Sequence, residues 1–179
     1  MTQGIIFNGK SEGVAGSPIK SIQYGSITGG GTDTIDAVVL ANSVIILMGF
    51  QCDQTGEDIG PSLVLTNTTT VTQSAHVDSG TITKFCVMEF NSGVIKSKQS
   101  GEIVIAKSSR SNTATVDEVT IAKSWLVFAG SHTSTGVGYD FDHVCSEIVL
   151  TNATTITATR DGTSSRVNSR NQYQLLEFN

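Results

Sequence analysis

The densest group of reactive side chains in this sequence is Asp140, Asp142, His143 and Cys145. Oxygen, nitrogen and sulfur donors so close together could hold zinc, and the two carboxylates would suit calcium. Such a site needs ligands from elsewhere in the chain, and no second cluster stands at ligand spacing. Asp53, Glu57 and Asp58 make an earlier loop equally acidic without repeating the pattern. A solvated acidic loop is therefore the simpler reading. Asp140 and Asp142 also resemble a glycosidase pair in type, but no aromatic-lined groove accompanies them.

The remaining candidates are sparser. His76 and His132 lie in polar segments without a catalytic motif around them. Gly29-Gly30-Gly31 lacks the lysine and the following helix of a phosphate cradle, so a flexible turn is expected. No nucleophile elbow, Walker loop, dinucleotide fingerprint or zincin motif occurs. Trp125 stands where an equivalent strand carries Val44, which suggests core rather than a sugar platform. Asn67-Thr68-Thr69 and Asn152-Ala153-Thr154 match glycosylation sequons but sit where turns are expected. No catalytic residue, cofactor site or resident metal is assigned, and an enzyme is not expected.

The elements that carry these residues are organised by an internal repeat. Thr34-Ile35-Asp36-Ala37-Val38-Val39-Leu40-Ala41-Asn42-Ser43 returns as Thr115-Val116-Asp117-Glu118-Val119-Thr120-Ile121-Ala122-Lys123-Ser124. Leu63-Val64-Leu65-Thr66-Asn67 returns as Ile148-Val149-Leu150-Thr151-Asn152, and Met88-Glu89-Phe90-Asn91 as Leu176-Glu177-Phe178-Asn179. The offset grows from 81 to 85 to 88 residues along the chain. The added residues fall in polar stretches, as expected when strands are kept and loops vary.

Each copy reads as six short strands, with Thr34–Leu40 and Ala114–Ile121 as the second strands. Val38 and Leu40 alternate on one face with Asp36, and Val119 and Ile121 repeat this. Cys86, Met88 and Phe90 form a period-two set matched by Gln174, Leu176 and Phe178. Asn67 and Asn152 punctuate hairpins. The expected fold is all-β: two tandem small β-sandwich or barrel-like repeats with an extended N-terminal arm. The arm is residues 1–18, the first repeat 19–91, a linker 92–100 and the second repeat 101–179. Ile5, Ile6 and Phe7 give the arm an apolar patch, suited to strand addition on a neighbour or to completing the first sheet.

The bulk numbers narrow the classes further. The 179 residues are 38% hydrophobic with a net charge of −5, a sequence pI near 5.0 and a mean hydropathy of +0.03. That is enough apolar content to fold. Lys and Arg are scattered rather than striped, so nucleic acid is not expected as a partner. The longest apolar run, Val44 to Met48, is too short for a bilayer. Met1–Ser17 lacks the pattern of a secretory signal, and three widely spaced cysteines fit assembly in a reducing cytoplasm.

The tract Val149-Leu150-Thr151-Asn152-Ala153-Thr154-Thr155-Ile156-Thr157-Ala158-Thr159-Arg160, followed by Tyr173-Gln174-Leu175-Leu176-Glu177-Phe178, resembles a β-rich module of virion structural proteins in tailed bacteriophages. Phe85-Cys86-Val87-Met88-Glu89-Phe90 closes a diverged first copy. The resemblance implies a non-enzymatic virion protein, assembled in the host bacterial cytoplasm and held by protein–protein contacts. A capsid decoration or cement role, against the major capsid protein or other virion proteins, fits it best, and a homo-oligomer is expected. A tail, collar or fibre-attachment component is the alternative, and a host-glycan adhesin using Tyr24, Tyr139 or Phe141 is a further one.

Overall fold

In a computed structural model, residues 10–12, 16–51, 60–73, 79–133, 145–162 and 167–179 are described, and the statements below concern these. The chain is all-β. A short strand, β1 (Lys10–Glu12), precedes two copies of one six-strand unit. The first copy comprises β2 (Ile19–Thr28), β3 (Gly31–Thr34), β4 (Ser43–Gln51), β5 (Leu63–Asn67), β6 (Thr70–Gln73) and β7 (Ile82–Phe90). The second comprises β8 (Ile95–Ile105), β9 (Ser111–Thr115), β10 (Ser124–Thr133), β11 (Glu147–Asn152), β12 (Thr155–Thr159) and β13 (Ser169–Phe178).

Within each copy a long sheet faces a short one. The long sheets run β1-β2-β7-β4 and β10-β13-β8, and the short sheets β3-β6-β5 and β11-β12-β9. Every pairing is antiparallel. β-Branched residues on one side of each strand explain this layering, since alternation leaves one apolar face per short sheet to bury. Ile27, Ile45, Leu63, Val71, Phe85 and Val87 fill the first sandwich. Ile103, Ile105, Ile156, Ala158, Tyr173 and Leu175 fill the second. The Asn67 side chain accepts the Thr69 N–H at 2.8 Å, and Asn152 accepts that of Thr154 at 2.9 Å, closing the two expected hairpins.

Two expectations shift. The second strands end early, at Thr34 and Thr115, and a stretch without sheet pairing leads from each to a 3-10 turn, Leu40–Asn42 or Ile121–Lys123. Alternation misleads here because Ile35 and Val38, three apart, are the buried pair, while Leu40 is 37% and Ile121 52% exposed. Side chains share the hydrogen bonding of this stretch with hairpin carbonyls, Thr69 and Thr68 accepting from Ile35 and Val38, and Thr154 and Ala153 from Val116 and Val119. Gln23 accepts from Asp36 N–H at 2.7 Å and donates to its carbonyl at 3.1 Å, and Gln99 does the same for Asp117. Second, β8 begins at Ile95, so residues 95–100, read as linker, belong to the second copy's sheet. The arm keeps one of its two expected roles, since Lys10–Glu12 pairs with β2 and extends the first sheet, while Ile5, Ile6 and Phe7 lie outside the described residues.

A third apolar cluster joins the copies. Val44, Phe90, Val127 and Leu176 form it, with Ile19, Ile46, Met88, Ile95, Trp125 and Phe178 packed around them. The cluster draws on equivalent positions of the two copies: Ile19 and Ile95, Val44 and Trp125, Ile46 and Val127, Met88 and Leu176, Phe90 and Phe178. An interface built from the same patch on both sides is the signature of a two-fold dimer, here within one chain. The period-two set Cys86, Met88, Phe90 and its counterpart thus lie on the faces where the two long sheets meet.

One glycine tests this junction. Gly130 has φ +103°, and an added Cβ would press on the Pro61 carbonyl oxygen and come within 2.9 Å of Ser62 Cα, where β10 bridges to Ser62. Its counterpart Gly49 has φ +150° with nothing within 4 Å. Gly130→Ala is expected to cost about 2–4 kcal/mol, from left-handed strain plus overpacking, and Gly49→Ala clearly less. Thermal unfolding of the two variants checks the order.

Candidate functional site

The most organised polar groups are two copies of one buried carboxylate. Glu89, 2% exposed, receives the Lys20 ammonium at 3.0 Å and the Val39 N–H at 3.0 Å on one oxygen, and the Ser21 hydroxyl at 3.4 Å on the other. Glu177, also 2% exposed, receives Lys96 at 3.0 Å, Thr120 N–H at 3.0 Å and Ser97 at 3.4 Å in the same arrangement. Each carboxylate ties the closing strand of its copy to the opening strand and to the residues before the 3-10 turn.

This lock was legible and missed. Ile19-Lys20-Ser21-Ile22-Gln23 returns as Ile95-Lys96-Ser97-Lys98-Gln99, but starting the second copy at Gly101 cut the motif away.

The Thr120 N–H and the Lys96 ammonium outweigh burial and pull the Glu177 carboxyl down to about 2. An acid so held stays ionised at neutral pH and neither donates nor takes a proton there. Because the folded pKa lies below the unfolded one, the group stabilises the fold fully above the ordinary glutamate pKa of about 4.3. That contribution fades as pH falls through about 2. The melting-temperature gap between wild type and Glu177→Gln should therefore be constant from about pH 7 to pH 5 and shrink steadily below about pH 4. A gap insensitive to acid would remove the carboxylate from this role.

Polar contacts also cross between the copies. The Gln174 amide donates to the Ile45 carbonyl at 2.7 Å and accepts the Ile45 N–H at 3.0 Å. Lys98, which replaces Ile22 of the first copy, donates to the Leu40 and Ser43 carbonyls at 3.1 and 2.6 Å. Burial brings its ammonium down to about 8. The Ser62 hydroxyl lies 2.8 Å from Nδ1 of His132, a pairing that resembles a nucleophile and its base. Ser62 is only 2% exposed and sits in the bridge to Gly130, so its hydroxyl is shielded from an incoming carbonyl and the contact joins the copies. His132, read from the sequence as lying in a polar segment without a catalytic motif, is half-buried.

Asp140, Asp142 and His143 lie outside the described residues, as do His76, Tyr139 and Phe141. Cys145 is described: burial pushes its thiol up to about 11, so it is a poor nucleophile at neutral pH. It borders a recess of about 320 Å³ with Glu147, Arg160 and Asp161. Arg160 in turn donates to the Ser109 and Ala106 carbonyls at 3.1 and 3.0 Å, which assigns it to holding a loop. Among the described residues no three of His, Cys, Asp and Glu come together. A cleft between the copies, lined by Ile45, Leu63, Lys98, Tyr173 and Gln174, has room for only about 50 Å³. Small-molecule sites usually offer several hundred.

Exposed apolar side chains mark the other surfaces. Val64 is 43% and Val149 50% exposed at equivalent places on β5 and β11, and Met48 58% and Phe50 40% at the end of β4. Val64 lies opposite Thr72, itself opposite Thr32, and Val149 opposite Thr157, itself opposite Thr113. Each short sheet so turns a threonine-rich face outward. No helix among the described residues is long and apolar enough to cross a membrane.

These features define a class: an all-β protein of two tandem sandwich modules joined by an internal pseudo-two-fold. Compared with known proteins, the chain matches no family model, no curated protein and no solved structure.

Proposed function

We propose that this chain is a non-enzymatic structural protein of a tailed-bacteriophage virion, acting as a capsid decoration or cement protein. The reading rests on the resemblance of the tracts 149–160 and 173–178 to a phage structural module, and the fusion of two tandem β modules through an apolar internal interface supports it. The buried carboxylates are committed to ion pairs and the inter-module cleft is small, so the described residues contribute contact area rather than chemistry. Protein–protein burial of roughly 1,200–2,000 Å² would suffice to hold such a body on a shell. The arm residues Ile5, Ile6 and Phe7 are the proposed anchor on the major capsid protein or another virion protein. Nucleic acid and membrane are not partners in this reading, and assembly takes place in the host bacterial cytoplasm.

Copy number on the particle tests it. Cryo-electron microscopy of intact virions should find the protein in many symmetry-related copies on the shell. A handful of copies at the tail or collar would favour the adaptor role, and none in the particle would overturn the virion reading. Tyr24, 36% exposed on β2, is the described residue on which an adhesin would rest; glycan-array binding lost in Tyr24→Ala would favour that alternative.

A further inference from the structure

The two long sheets differ in one respect. In the first copy, β1 lies on the outer edge of β2, with Lys10 opposite Gln23, Ser11 opposite Ile22 and Glu12 opposite Ser21. The equivalent strand β8 pairs with β13 on one side, and among the described residues nothing pairs with its other side. Burial records the difference. Ser21 and Gln23 are 2% and 6% exposed, whereas Ser97 and Gln99, with the same internal hydrogen bonds, are only partly buried. Among the described residues no strand lies on this side of β8, although the Asn112 amide donates to the Val104 carbonyl and Lys98 reaches the Leu40–Asn42 turn, and an open sheet edge is a template for another strand.

We propose that this edge is an assembly surface for a second copy of the chain, two β8 strands pairing antiparallel about a two-fold axis at Ser100. The chain's own arm already occupies the β2 edge, so a second copy on β8 fills the equivalent position without displacing the arm, and a symmetric pairing ends there rather than growing into a fibre.

The sequence of β8 suits this register. With Ser100 on the axis, Lys98 of each copy falls directly opposite Glu102 of the other, twice over, and Gln99 opposite Gly101. Lys98 and Glu102 stand opposite Leu176 and Gln172 of β13, on the same face of the sheet, where opposite charges in register favour pairing. Both keep capacity for the contact. Lys98 uses two of its three N–H groups on Leu40 and Ser43, and the Glu102 carboxylate, bonded to Arg170 and Gln172, retains free lone pairs. β1 shows that the edge accepts a strand: the internal two-fold that carries β2 onto β8 carries the site of β1 onto this edge.

This inference does not rest on the virion reading, because it concerns the isolated protein. Light scattering after size exclusion should show a dimer forming as concentration rises, and hydrogen exchange at 96–102 should slow with it while β1 and β2 are unchanged. Glu102→Lys, which sets Lys against Lys98, should weaken dimerisation at least tenfold, and adding Lys98→Glu should restore it. A protein that stays monomeric with β8 exchange independent of concentration overturns the proposal. So does a dimer that survives Glu102→Lys, or a double swap that folds but does not re-associate. Should the charge variants fail to fold by circular dichroism, the wild-type exchange series decides alone.

Discussion

Leu176→Asp is expected to abolish cooperative folding of the whole chain. Leu176 has no exposed surface and sits in the cluster where the two long sheets meet, among Val44, Phe90 and Val127. An ionised carboxylate there has no partner, and an unpaired buried charge costs at least about 4 kcal/mol. A small domain's whole stability is about 5–15 kcal/mol, and units of roughly 80 residues stand at the low end of burial. The milder form of the experiment measures the interface. Phe90 and Phe178 meet edge to face, 5.7 Å between centroids at 78°. Each truncation to Ala should cost about 3–5 kcal/mol. The double variant should fall short of the sum by about 0.5–1.5 kcal/mol, the value of the lost ring contact. Chemical denaturation of the four proteins gives the cycle. Single losses under about 1 kcal/mol would mean that the two copies stand independently.

The second large effect is expected at the buried carboxylate of the first copy. Glu89→Ala removes the acceptor of Lys20, Ser21 and the Val39 N–H together. The lysine is half exposed and regains water, so the cost arises mainly from the stranded backbone donor and the cavity. A loss of about 2–4 kcal/mol follows, with Glu89→Gln less severe because the amide still accepts one bond. Hydrogen exchange localises the damage: amides of 36–43 should open first, since the carboxylate holds the segment between β3 and β4 in place of a sheet partner. An unchanged exchange pattern with the full loss of stability would point to packing alone. Such locks recur because this segment is not in a sheet and its backbone groups still need partners.

Much of the design was legible before any coordinates. Valine, isoleucine and threonine at period two, with Asn at the turns, dictate strands and hairpins, and the matched tracts from Thr34 to Asn91 and from Thr115 to Asn179 dictate a duplication. Period two also singled out Cys86, Met88 and Phe90 with Gln174, Leu176 and Phe178, although not what they face. The metal-like cluster at Asp140, Asp142 and His143 and the arm patch at Ile5–Phe7 were likewise visible as residues, and both lie outside the described segments.

What a strand face meets is a different matter, because alternation is local and partnership is not. The sequence alone determined a duplicated set of strands with period-two faces such as Cys86, Met88 and Phe90. Only the tertiary structure decided that those faces of the two copies close on each other across a pseudo-two-fold. It also ended the second strands at Thr34 and Thr115, since Gln23 and Gln99, distant in sequence, capture the backbone that would have continued them. It made Glu89 and Glu177 buried ion pairs. And among the described residues it placed a strand on the edge of β2 and none on that of β8, because hydrogen-bond partners are assigned by the three-dimensional neighbourhood, which two nearly identical pentapeptides do not share.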